Sequence, residues 1–219
     1  MMSLKSSSRI VLLLFLSIFC SCKTNYDDSN LRAHFTQEEI KDLHKIVDFF
    51  KIEVCNTPNT DIKECFQEIS ADHEAGIYFL EQIDFEKQKT LYNSISKSTF
   101  NKIWGYCKST SDRGATYMEY LCPRHDSKYQ KYLQSVGKNY PFINQYVKNL
   151  RETGAFSSLE FTLDQIAYGK IDMDLKDPDI QLIIAIHFLS LHDEYSRNDD
   201  YNELRRSKPK LIINNTQKN

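Results

Sequence analysis

Residues 177–191 (DPDIQLIIAIHFLSL) limit the folds open to this chain more than any other stretch. Asp177 can accept an amide of a first helical turn, Pro178 suits that turn, and Asp179 complements the positive end of the dipole. Ile180, Leu182, Ile183, Ile184, Ala185, Ile186, Phe188, Leu189 and Leu191 then leave almost no polar face. A helix apolar nearly all round must be enclosed by other elements. Ile180 to Leu191 is twelve residues, too few to cross a bilayer, which takes about 20. The rest of the chain must supply walls for this helix. The expected fold is therefore all-α: an irregular multi-helix bundle around a central apolar C-terminal helix, with disulfide support. Only six Gly and five Pro, with 26% charged residues, suit helices better than a turn-rich β fold.

The walls read as amphipathic segments. Thr36 and Glu39 form a capping-box pattern. Ile40, Leu43, Val47, Phe50 and Val54 follow at spacings of three and four, one stripe of a helix. Asn56 to Asp61, with Pro58, breaks it. A second helix is expected from Asp61 to about Ser70, with Ile62, Cys65, Phe66 and Ile69 inward. Ile77 to Ile83 reads as a short strand or a helical turn, and Asp84 to Ser96 as a helix. Ser98 or Thr99 is expected to cap the next helix, with Phe100, Ile103, Trp104 and Cys107 on its stripe. Ser109 to Thr116 reads as a polar loop. Asp126 is expected to cap a helix through Val136 that ends at Gly137. Pro141 opens another that Gly154 stops, and Ser157 or Ser158 opens a short one before Gly169.

The N-terminal residues bear on location. Lys5 and Arg9 precede Ile10 to Cys20, eleven residues in which only Ser17 is polar. A basic start followed by an apolar run of about 7–15 residues is the pattern of a secretory signal. Phe19-Cys20-Ser21-Cys22 closes it. This segment resembles a bacterial lipoprotein signal, in which a small residue precedes a cysteine that becomes the acylated N terminus. Cys22 fits that position, with Ser21 before it; Phe19 stands where Leu is usual, and Cys20, behind the bulky Phe19, is the alternative. The loose form is similar to lipoprotein signals of Bacteroidetes-type bacteria. The resemblance covers residues 1–22 and implies a protein of the cell envelope, held on the outer membrane through a lipid on Cys22. The implied division is a signal peptide at 1–21, a flexible tether at 22–34, a helical domain at 35–204 and a disordered tail at 205–219.

Without residues 1–21 the chain keeps 28 − 2 = 26 basic residues against 30 acidic, a net charge of −4. That balance speaks against a nucleic-acid partner, which needs clustered Lys and Arg. Cys55, Cys65, Cys107 and Cys122 remain beside the acylated cysteine. An even set in an exported chain points to disulfides, and four cysteines allow three pairings. Cys55–Cys65 and Cys107–Cys122 are favoured, because each pair encloses a short polar, turn-like stretch. A four-thiolate zinc site would need close C-x₂₋₄-C pairs, which are absent.

The candidates for chemistry are histidines. His187 and His192 are five residues apart, about 140° around a helix, whereas a zincin helix needs i and i+4. His187 is expected in the core. His192-Asp193-Glu194 is expected at an exposed helix end, and Asp72-His73-Glu74 in a solvated turn. His125 follows Arg124 near Cys122. No Gly-rich phosphate loop and no G-x-S-x-G elbow occurs in the sequence. Neither a metal, a cofactor nor a defined catalytic set is expected. The leading expectation is an envelope lipoprotein with a binding domain for a protein or small molecule. Its 13 Tyr and 13 Phe offer amphipathic contact area, although most are expected to pack the bundle. The alternatives are an immunity-type lipoprotein that neutralises a toxin, and an envelope hydrolase with His73 or His192 as base.

Overall fold

A computed structural model gives the fold, and it describes residues 29–72, 78–110, 117–156 and 163–198. The signal segment, Cys22, the Asp72-His73-Glu74 histidine, the centre of the Ser109–Thr116 loop, Ser157, Ser158 and the 205–219 tail lie outside them. The described chain is mostly helical, with one small two-stranded sheet. In order come α1 (Ser29–Arg32), α2 (Gln37–Cys55), α3 (Ile62–Asp72), a 3₁₀ segment (Tyr78–Gln82), α4 (Phe85–Ser94) and α5 (Lys97–Ile103). A hairpin of β1 (Trp104–Thr110) and β2 (Tyr117–Pro123) follows. Then come α6 (Lys128–Val136), α7 (Pro141–Thr153), α8 (Leu163–Ala167) and α9 (Pro178–Arg197).

Local sequence explains most of these boundaries. The Thr36 N–H donates to the Glu39 carboxylate at 2.9 Å and the Glu39 N–H to Thr36 Oγ1 at 3.4 Å, a reciprocal cap for α2. Its stripe, Ile40, Leu43, Ile46, Val47, Phe50 and Val54, is buried. Asn56 ends the helix with φ 62°, and Gly154 ends α7 with φ 68°, left-handed conformations that Asn and Gly tolerate. Asp177 accepts the Asp179 N–H at 2.8 Å and Pro178 fills the first position of α9. Every residue from Asp179 to Ser190 is buried. The helix packs on α2, β2, α4 and the 3₁₀ segment, while α3 packs on α8, and α6 packs on α1, α5 and α7. Among the described residues, no helix is long and apolar enough to cross a membrane.

The hairpin departs from the all-α expectation. Helix α5 stops at Ile103, so Trp104 and Cys107 lie on a strand rather than on a helical stripe. The pairing is antiparallel, with Trp104 opposite Pro123, Tyr106 opposite Leu121 and Lys108 opposite Glu119. Leu121 and Pro123 are buried, so the partner strand gives Trp104 an apolar seat that a continued helix would not. Within the Ile77–Ile83 stretch, Tyr78–Gln82 forms a 3₁₀ turn, the helical of the two expectations. Ser96, rather than Ser98 or Thr99, caps α5 by accepting the Thr99 N–H at 3.1 Å. Ser127 rather than Asp126 caps α6, and Asp126 sits just before it at φ 49°.

The stretch read as tether already packs at its C-terminal end. Leu31 of α1 is buried, and the Asn30 amide donates to the Asp179 carboxylate at 2.5 Å. The two favoured cysteine pairs are the ones joined: Cys55–Cys65, with Cα atoms 5.6 Å apart, and Cys107–Cys122, 5.8 Å apart. The first clamps the break between α2 and α3. The second crosses the hairpin on the face opposite Trp104, Tyr106 and Lys108, because side chains alternate along a strand.

Candidate functional site

The largest departure from expectation falls on the histidine that was to mark an exposed helix end. Helix α9 does not stop near Leu191 but continues to Arg197. His192 and Asp193 are buried at 3% and 0% exposure, so the His192-Asp193-Glu194 triplet is not a solvated terminus. A buried polar side chain needs partners, and α4 supplies them. Gln88, itself fully buried, lies against α9. Its Nε2 donates to the Leu189 carbonyl at 2.7 Å and contacts the Tyr92 hydroxyl. A carbonyl only accepts, so this amide must point its nitrogen at Leu189 and its oxygen at His192, 2.5 Å from Nδ1. His192 therefore carries its proton on Nδ1. That leaves Nε2 to accept from the Ser196 hydroxyl, 2.9 Å away and one turn along α9.

The chain Ser196–His192–Gln88 thus has the connectivity of a hydroxyl, a neutral imidazole and an orienting group. Its electrostatics differ from those of a hydrolytic triad. Burial pushes the His192 pKa down to about 4, only partly offset by the charge of Asp84. The ring is neutral at pH 7 but a weak base. Gln88 can orient it, yet carries no charge to stabilise an imidazolium. Ser196 lies within α9, whose amides donate to its own carbonyls, so helix backbone supplies no free donors for an oxyanion.

Beside this chain sits an ion pair. Arg197 donates from Nε and Nη2 to the two Asp193 oxygens, both at 2.8 Å. Burial pushes the Asp193 carboxyl up, and Arg197 works against that shift. Hydrogen bonding to Asp193 raises the guanidinium in turn. Glu194 is also pushed up, first by burial and then by Asp193. The guanidinium lies over two rings, 5.6 Å from the Phe85 centroid and 5.3 Å from that of Tyr106. On β1, exposure rises from 0% at Trp104, whose Nε1 donates to Ser190 Oγ at 2.8 Å, to 63% at Tyr106. Asn198 fixes the helix end to β2: its Nδ2 donates to the Glu119 carbonyl at 2.7 Å, and its Oδ1 accepts the Glu119 N–H at 3.1 Å. Lys108 and Glu119 pair across the strands at 2.5 Å. The rim where the hairpin meets α9 therefore presents an exposed tyrosine under an arginine that is already positioned.

The other candidates fall elsewhere. His187 is in the core, as expected, with Nδ1 3.0 Å from the Tyr146 hydroxyl. His187 turns to α7 and His192 to α4, so they share no centre. His125 is exposed and 3.0 Å from Asp126. His73 lies outside the described residues. Among the described residues no group of three or more His, Cys, Asp or Glu side chains could hold a metal ion. The i and i+4 pairs His192–Ser196 and Asp193–Arg197 are readable from spacing alone. Gln88, 104 positions from His192, carries no signal in the sequence. No protein-family model, curated protein or solved structure matches this chain.

Proposed function

We propose that this chain is a lipid-anchored binding protein of a bacterial cell envelope, acylated on Cys22, with a helical domain organised around α9. The observation that carries the reading is two closed disulfides in a chain that begins with an export-type segment. Disulfides persist in oxidising compartments and are rare where thiols are kept reduced. The contact surface in this reading is the hairpin–α9 rim. Tyr and Arg dominate binding hot spots, and here Tyr106 is exposed while Asp193 has already fixed the guanidinium over it. The cost of ordering Arg197 has been met within the fold, which favours association.

Location and binding are tested separately. Cys22→Ser should abolish sensitivity of processing to globomycin and change detergent partitioning; a variant indistinguishable from wild type would remove the anchor. For binding, intact protein and Tyr106→Ser would be used to capture partners from native membranes. A partner lost only with Tyr106→Ser supports the rim, and an unchanged set of partners removes it.

One observation favours a second reading, a hydrolase with His192 as base and Ser196 as nucleophile: the 2.9 Å contact between them. A fluorophosphonate probe should then label Ser196, and Ser196→Ala should abolish labelling. An unlabelled wild-type protein would end that reading.

A further inference from the structure

Charge on this acidic chain is segregated about α1. The outer stripe of α6 carries Lys128, Lys131 and Gln134, and Lys138 follows in the turn after it, all exposed, while Tyr129, Tyr132, Leu133 and Val136 face inward. Helix α1 packs on α6, and Lys128 and Lys131 are close enough to His34, just beyond α1, to help partial burial lower its pKa. The stripe continues onto α7. A groove of about 290 Å³ between the two helices is lined by Gln134, Asn144, Val147, Lys148, Arg151 and Glu152. Two of the basic residues here have an acid at the edge of pairing distance: Glu152 lies 3.9 Å from Lys148 and Asp126 lies 3.9 Å from Arg151. Beyond Ser29 and Asn30 the sign reverses: Asp174, Asp177 and Asp179, with Lys176, line a second groove.

We infer that the α6–α7 face docks onto an anionic phospholipid surface. This rests on the acylation of Cys22 proposed above. From Cys22 to Ser29 is seven residue steps, at most roughly 25 Å when fully extended. A domain of this size has a radius of gyration of about 15 Å, so so short a link keeps some face of it against the headgroups. Near α1 the choice lies between the basic stripe of α6 and the acidic groove at the start of α9. An anionic surface attracts the first and repels the second. The flat run of lysines suits headgroup phosphates met as point charges, and the contact acts over about one Debye length, roughly 8 Å. The lipid chains supply attachment, and the lysines supply orientation. That orientation holds one face toward the bilayer and leaves the others free.

The test uses intact acylated protein in vesicles of phosphatidylcholine, with or without phosphatidylglycerol. Trp104 is the only tryptophan, so energy transfer from it to a dansyl-headgroup lipid reports how the domain sits. Transfer should change when phosphatidylglycerol is added, and the change should vanish in high salt. Lys128→Gln/Lys131→Gln/Lys138→Gln should weaken the docked population roughly fivefold per lysine, about a hundredfold in all. All three side chains are exposed, so circular dichroism of the variant should match wild type. Transfer that ignores lipid charge, or that the triple variant leaves unchanged, overturns the inference. Retention on vesicles in high salt reports the acyl chains separately. Protein that washes off in high salt yet still responds to lipid charge would refute the anchor and not the docking face.

Discussion

Replacing Gln88 by leucine tests whether the buried polar chain is part of what holds α4 to α9. Gln88 is fully buried and serves three groups at once: His192, the Leu189 carbonyl and the Tyr92 hydroxyl. The Leu189 carbonyl keeps the amide of its own helix, so its loss is small. One nitrogen of His192 and the buried Tyr92 hydroxyl are left unmatched. Each orphan costs about 1–3 kcal/mol, and the added apolar burial of leucine offsets about 1.5–3 kcal/mol of that sum. The net expectation is a loss of about 2 kcal/mol. With a urea m-value of about 2 kcal/mol/M, the midpoint falls by about 1 M. Trp104 emission and far-UV circular dichroism, followed together under oxidising conditions, give the midpoint. Removing both partners, in Gln88→Leu/His192→Leu, should cost less than the two single changes added together, with a coupling above about 1 kcal/mol. A Gln88→Leu midpoint within error of wild type, with no coupling, would refute the assignment of the Nδ1–H tautomer and of the amide orientation that produced it.

Three further outcomes follow from the same geometry. The His192 pKa falls from 6.5 to about 4 on folding, so its contribution is full above pH 6.5 and is lost as pH drops through 4; urea midpoints should record about 3 kcal/mol less stability over that window, and His192→Leu should flatten the slope there. Removing either disulfide by paired alanine substitution should cost about 3 kcal/mol, since the cysteines are 10 and 15 residues apart; melting with and without reductant checks it, and an unchanged midpoint would mean that the bond is not formed in solution. Arg197→Met leaves the Asp193 carboxylate buried without its cation; about 3–5 kcal/mol should be lost at pH 7, and the deficit should shrink toward acid as Asp193 takes up a proton.

Features governed by local rules were legible in the sequence. The stripe of α2 follows from a period of 3.6, and the caps at Thr36 and Asp177 follow from short polar side chains placed just before apolar runs. The disulfide pairs were legible because each spans a short break. What was missed depends on partners far along the chain. Phe100, Ile103, Trp104 and Cys107 fit a helical stripe on paper, but β2 competes for Trp104 and Cys107, and no local pattern announces a cross-strand partner. The glutamine that makes His192 a buried group rather than a surface one comes from α4. An acid-rich triplet looks solvated unless such partners are known. Arg197, four residues from Asp193, was the available clue that the helix did not end at Leu191.

The order of the elements has a consequence for the export proposed above. Helix α2 rests on α9, roughly 140 positions later, and Asn30 finds its carboxylate 149 residues on. A polypeptide threading outward from its amino end would lack α9 until most of its length had emerged. Helices already across could hide their greasy sides only transiently, and premature collapse on the ribosomal side would be disfavoured for the same reason. Under that proposal, a helix α9 made after the elements it packs on delays closure until passage is well advanced, and a chain interrupted before Asp177 should be cleared by quality-control proteases rather than persist.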